Sequence, residues 1–180
     1  IAAVQPYWFP QEDNYYYLDK SNLGKRVFNE YRMGTLFANN VIVTSSSDCP
    51  VTKDPDPLVA IEIGINRKNK EKVSVVDMLA SFTINGAFQL GTENTIGRID
   101  KGFCGDLIVL SKNILNGSVE SAKLLYTIID GEIKYSSNSN GYCVGCIEPL
   151  PTISNPEICL GYLFPSFNSL CWPCSPYALV

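Results

Sequence analysis

The chain opens on Ile1-Ala2-Ala3-Val4, a continuous apolar run leading into Gln5-Pro6, which is the pattern of a parallel strand buried on both faces. An aromatic and polar stretch from Tyr7-Trp8-Phe9 to Tyr15-Tyr16-Tyr17 reads as a loop. Leu23, Val27, Phe28 and Tyr31 then fall on one helical face, and the helix is expected to continue weakly through Leu36-Phe37-Ala38. Asn39-Asn40 ends it. A second short β-branched run, Val41-Ile42-Val43-Thr44, closes on Ser45-Ser46-Ser47-Asp48-Cys49-Pro50.

Two helices with start signals follow. Asp56 before Pro57 is an N-cap with proline at the first helical position, and Leu58, Ile61 and Ile65 form the stripe behind it. Ser74 with Asp77 three residues later resembles a capping box, and Val75, Met78, Leu79 and Phe82 supply a buried face. Beyond about residue 95 the period changes to strands and turns. Residues 95–99 and 106–110 are expected to pair across a turn at Lys101-Gly102. Residues 124–129 and 132–135 form a hairpin around Asp130-Gly131, a pair suited to a type I′ turn. From about residue 136 no period remains. That tail holds 5 of the 7 cysteines and 6 of the 11 prolines, with Glu148 and Glu157 as its only charges.

Composition narrows the function. Of 180 residues, 46% are hydrophobic and 18% charged, which suits a folded domain. The formal net charge is −4 and no basic run occurs, which argues against nucleic acid and anionic membranes as partners. No stretch is apolar enough to span a bilayer. The first residues carry neither the charged region nor the cleavage site of a signal peptide. The sequence reads as a fragment of a cytoplasmic protein. Histidine is absent altogether, so the commonest general base and the commonest zinc ligand are both missing.

The sharpest candidate is Asp48, where a short buried strand runs out into small residues. At the carboxyl end of a parallel strand a carboxylate can bind a metal and exchange a proton with water. The alternative is an Asx-turn or helix-cap aspartate. In the tail, Cys143-Val144-Gly145-Cys146 and Cys171-Trp172-Pro173-Cys174 are separated by 24 residues, close to a zinc-ribbon layout though wider than its usual gap. Disulfides, a redox pair and unpaired thiols are the other readings of these cysteines.

Several segments in order carry a resemblance. Asp48-Cys49-Pro50-Val51, then Asp54-Pro55-Asp56-Pro57-Leu58 and Ile65-Asn66-Arg67, resemble the end of the last barrel strand and the following helix of the YtcJ-like amidohydrolases (amidohydrolase family 3). Gln5-Pro6 with Leu23-Gly24-Lys25-Arg26 resembles the preceding strand and helix, and Ser81-Phe82-Thr83-Ile84-Asn85-Gly86-Ala87 the next helix. The segment from Gly97-Arg98-Ile99-Asp100 to Leu107-Ile108-Val109-Leu110 is similar to the family's return hairpin, with Phe103 and Gly105 where lysine and alanine are usual.

The resemblance implies an α/β fold. Residues 1–95 would be the C-terminal portion of a (β/α)8 TIM barrel and residues 96–135 strands of a small β-sandwich, followed by an irregular Cys/Pro-rich tail at 136–180. It also implies a metal-dependent hydrolase of amide or other non-peptide C–N bonds, acting on a small amide-type molecule with a divalent metal, most naturally zinc. Asp48 would be both metal ligand and proton carrier. The family's other ligands are mostly histidines on earlier strands, so this portion is expected to hold no metal alone, to be inactive in isolation and to self-associate through open barrel edges. Arg67 and Trp8 are the candidate substrate contacts. Ion pairing for Arg67 and packing for the aromatic loop are the structural alternatives. Asp106 reads as a turn or sandwich residue. The rival function is a non-catalytic binding module organised by a zinc on the tail cysteines.

Overall fold

The computed structural model describes residues 1–10, 14–52, 55–67, 69–116 and 119–137. The tail cysteines Cys143, Cys146, Cys171 and Cys174, and also Asp54, lie outside the described residues. The fold is mixed α/β and divides into two compact units, Ile1–Phe82 and Thr83–Val180. No helix among the described residues is long and apolar enough to cross a membrane.

In the first unit β1 (Ala2–Val4) pairs in parallel with β2 (Val43–Ser45), with Ala2 opposite Val43 and Val4 opposite Ser45. A 3-10 turn, Pro6–Trp8, follows β1 directly, its fixed proline φ suiting the first helical position. Then come α1 (Asn14–Leu23), a 3-10 segment Gly24–Asn29, and α2 (Met33–Ala38). The loop expected through Tyr15-Tyr16-Tyr17 is therefore helical from Asn14. Lys20 lies 5.9 Å from the centre of the Tyr16 ring, an i,i+4 contact that a helix brings together. The single helix face expected from Leu23 to Tyr31 does not exist. Gly24 turns left-handed at φ 56, Tyr31 at φ 53, and only Val27 of that set is buried while Phe28 stands in solvent.

The next two helices start as their signals predict. Asp56 accepts the Leu58 N–H at 2.9 Å at the head of α3 (Pro57–Ile65). Ser74 accepts the Asp77 N–H at 3.0 Å, and its hydroxyl donates to Asp77 Oδ2 at 2.8 Å, ahead of α4 (Val75–Phe82). The buried stripe of α3 is Pro57, Ala60, Ile61 and Gly64, rotated from the expected Leu58, Ile61 and Ile65. Gly64, with no Cβ, lets the fully buried Met78 of α4 lie against α3. Phe9, Val27, Met33, Val43, Ala60, Ile61, Val73, Met78 and Leu79 form this unit's core.

The second unit holds α5 (Ile84–Leu90) and an antiparallel meander of β3 (Leu107–Leu110), β4 (Leu124–Ile129) and β5 (Glu132–Ser136). The hairpin expected between 124 and 135 is present, and Asp130 and Gly131 both take positive φ, as a type I′ turn demands. The strand expected at 95–99 is absent. Gly97 sits at φ 93 in its middle, and Thr95 and Ile96 instead donate backwards to Thr92 O in a tight turn. β3 pairs with β4, not with that segment. Ala87, Ile96, Ile108, Leu110, Ile114 and Val119 are the buried apolar residues of this unit.

Candidate functional site

Because β1 and β2 run parallel and in register, both strands finish at the same end of the sheet. Their exit loops are joined there. Ser46 N–H donates to Val4 O at 3.0 Å, and Gln5 Nε2 donates to Ser46 Oγ at 3.4 Å. One loop carries Trp8 and the other carries Asp48. This is the end at which parallel α/β folds place their ligands.

Asp48 is exposed and left-handed at φ 56. Its backbone carbonyl, not its side chain, closes the local turn, accepting from Val51 N at 2.8 Å and Thr52 N at 3.3 Å. The side-chain acceptor nearby is Ser47 Oγ, which takes the Cys49 N–H at 3.2 Å. Among the described residues the Asp48 carboxylate makes no hydrogen bond or ion pair, so the Asx-turn geometry that would occupy it is not formed. Cys49 beside it is a free, exposed thiol.

The β2 end is anchored from beneath. Ser81 on α4 donates its one hydroxyl proton to Met78 O at 2.6 Å, so the 2.8 Å contact between Ser45 Oγ and Ser81 Oγ has Ser45 as donor. Ser81 is fully buried and its hydroxyl satisfied on both counts.

Arg67, just past α3, faces inward. Its guanidinium lies 4.7 Å from the centre of the buried Phe9 ring and donates to the Tyr31 carbonyl, while the Phe9 and Tyr31 rings stand 5.4 Å apart. Burial lowers the Arg67 pKa and the neighbouring Glu71 charge opposes that shift. Glu71 in turn accepts both donors of Thr35, N–H at 3.0 Å and Oγ1 at 2.6 Å, capping the first turn of α2. Burial raises the Glu71 pKa, but the Thr35 bonds, Lys70 and Arg67 outweigh it and hold the carboxyl below the usual range.

Of the sequence candidates, Trp8 and Asp48 thus sit on the two joined loops, and Arg67 reaches the Trp8 loop through Phe9. Glu71 and the Tyr31 carbonyl carry no signal in the sequence, whereas Gln5, Ser46 and Ser81 lie in segments singled out there without a role of their own. Asp106 is buried and accepts the Asp130 N–H at 2.7 Å, which makes it the anchor of the β4–β5 turn. Arg98 lies 4.6 Å over the centre of the Phe103 ring.

A zinc centre needs three or four protein ligands. The described residues contain no group of three His, Cys, Asp or Glu that could hold a metal, and Asp48 stands as a single carboxylate. The described residues do not fit a metal centre on their own.

No curated protein matches the chain. A solved amidohydrolase from Thermotoga maritima MSB8 is similar at 26% identity with a TM-score of 0.45, over 58% of this chain and 26% of that one. The chain thus spans about a quarter of that neighbour's length. Residues 1–135 match the Amidohydrolase family. With most of its length matched, from β1 through the β4–β5 hairpin, the chain belongs to the amidohydrolase family, in its family 3 branch.

Proposed function

We propose that the protein is a metal-dependent hydrolase of amide or other non-peptide C–N bonds in small molecules, with residues 1–95 as the closing part of its catalytic barrel. Family membership supports the hydrolase class. The observation that carries the site is an unengaged carboxylate, Asp48, on a loop joined through Ser46 and Gln5 to the loop bearing Trp8. In this reading Asp48 accepts a proton from the attacking water and delivers it to the leaving nitrogen as the C–N bond breaks. Trp8, on the loop after β1, shapes the substrate side, and Arg67, just past α3, supports that loop through Phe9. Ligands for zinc beyond Asp48 belong outside the described residues.

The test is Asp48→Asn in a chain carrying the complete family domain, with zinc content and amide hydrolysis measured together. Activity is expected to drop at least about 100-fold, the scale of a lost proton carrier. Hydrolysis within about twofold of the parent would remove Asp48 from the mechanism.

A further inference from the structure

Arg67 is half-buried and engages two residues at once, Phe9 and Tyr31. Its guanidinium carbon lies over the ring of Phe9, which is 4% exposed, and one N–H goes to Tyr31 O. That carbonyl already accepts Met33 N–H at 2.9 Å, and Tyr31 presents it by adopting φ 53, a conformation that costs a non-glycine residue energy unless contacts hold it. Phe9 closes the 3-10 turn that contains Trp8, donating its N–H to Pro6 O at 3.0 Å. On the other side the same turn is joined to the β2 loop through Gln5 and Ser46.

We infer that Arg67 is a positioning residue. Seated on Phe9 and bonded to the Tyr31 carbonyl, it holds the turn Pro6–Trp8 in place beside the loop that carries Asp48. This rests on the reading of that end of the sheet as the substrate side, and it sharpens the role of Arg67 from direct substrate contact to control of Trp8. A planar guanidinium suits the task because it can stack on a ring and donate at its edge at once, whereas an ammonium cannot do both. Glu71, itself fixed by Thr35, supplies the compensating charge.

The chain has two tryptophans, Trp8 and Trp172. In the 180-residue chain with Trp172→Phe, Trp8 reports alone through its emission and its quenching by acrylamide. Arg67→Gln removes the stacking plane, and Phe9→Leu removes the ring while leaving Arg67 in place. Circular dichroism and thermal melts establish that each variant is folded. In a folded variant, acrylamide quenching of Trp8 is expected to rise about twofold or more through local opening of the turn. Asp48→Asn in the same background should leave the Trp8 signal unchanged, so this readout is independent of whether Asp48 carries the hydrolysis. If Arg67→Gln does not fold, Phe9→Leu alone decides. Unchanged Trp8 quenching in either folded variant overturns the assignment.

Discussion

The two units are held together in opposite ways. In the first, the polar contacts that fix geometry join residues far apart in sequence. Tyr31 O to Arg67, Thr35 to Glu71 and Ser45 to Ser81 are each separated by 36 positions. A constant offset means that residues 31–45 and 67–81 lie alongside one another running in the same direction, which is how a parallel fold stacks successive segments. In the second unit the ties are shorter, with Asp130 N–H reaching Asp106 over 24 positions. Asp130 and Gly131 turn the chain between adjacent strands, and Lys123 N–H returns to Ser111 Oγ at 2.9 Å. The first arrangement has to close long loops before any contact forms, whereas the second assembles from neighbours.

Breaking the constant-offset contacts should therefore damage the first unit most. A Cβ built on Gly34 would stand 2.3 Å from Lys70 O and 2.7 Å from the Glu71 Cα, backbone atoms that cannot swing aside. Gly34→Ala is expected to cost about 3 kcal/mol, the upper end for overpacking. Hydrogen exchange should show the loss in residues 1–82 while the β3–β5 amides keep their protection. Equal loss in both would mean the units do not open separately.

Glu71→Gln is the next largest. The amide can accept only one of the two Thr35 donors, so about 1.5 kcal/mol should go with the charge-assisted bond. The pH dependence has a defined sign. The folded Glu71 pKa lies below its usual 4.5, so its stabilisation is complete above that value. It is lost as pH falls through the lower folded value. Denaturation of wild type and Glu71→Gln across that acid range should show a slope that the variant lacks. Parallel curves would remove Glu71 from the balance.

The smallest effect belongs to the local side of the comparison. Gly131 sits at φ 77 with open space around its Cα, so Gly131→Ala meets no clash and pays only for the left-handed backbone. About 1 kcal/mol is expected, seen as faster exchange of the β4 and β5 amides with the first unit untouched. A loss as large as that of Gly34→Ala would show that the turn supports more than its own hairpin.

These contrasts explain what could be read in advance. Features encoded within a few residues were legible: the Asp56-Pro57 and Ser74-Asp77 helix starts, the Asp130-Gly131 turn and the apolar runs that became β1 and β2. Where local pattern misled, a distant or conformational contact had intervened. The face expected at Leu23, Val27, Phe28 and Tyr31 broke at the left-handed Gly24 and Tyr31, and Tyr31 O is held by Arg67 36 positions away. The 95–99 strand gave way where Gly97 takes φ 93, outside the regular strand region, and Thr95 and Ile96 bond back to Thr92. The buried stripe of α3 shifted because Met78, on the next helix, packs where Gly64 has no Cβ.

For the candidate site the division is the same. The sequence by itself determined that an aspartate follows the second apolar run, that aromatics follow the first, and that these 180 residues contain no histidine. Only the tertiary structure decided that the two runs lie parallel in register, that Gln5 and Ser46 join their exits, and that Asp48 is left unengaged while Arg67 turns inward onto Phe9. Strand direction and side-chain partners depend on loops closed over dozens of residues, and the balance of burial against hydrogen bonding that closes them is not written in any short window of the chain.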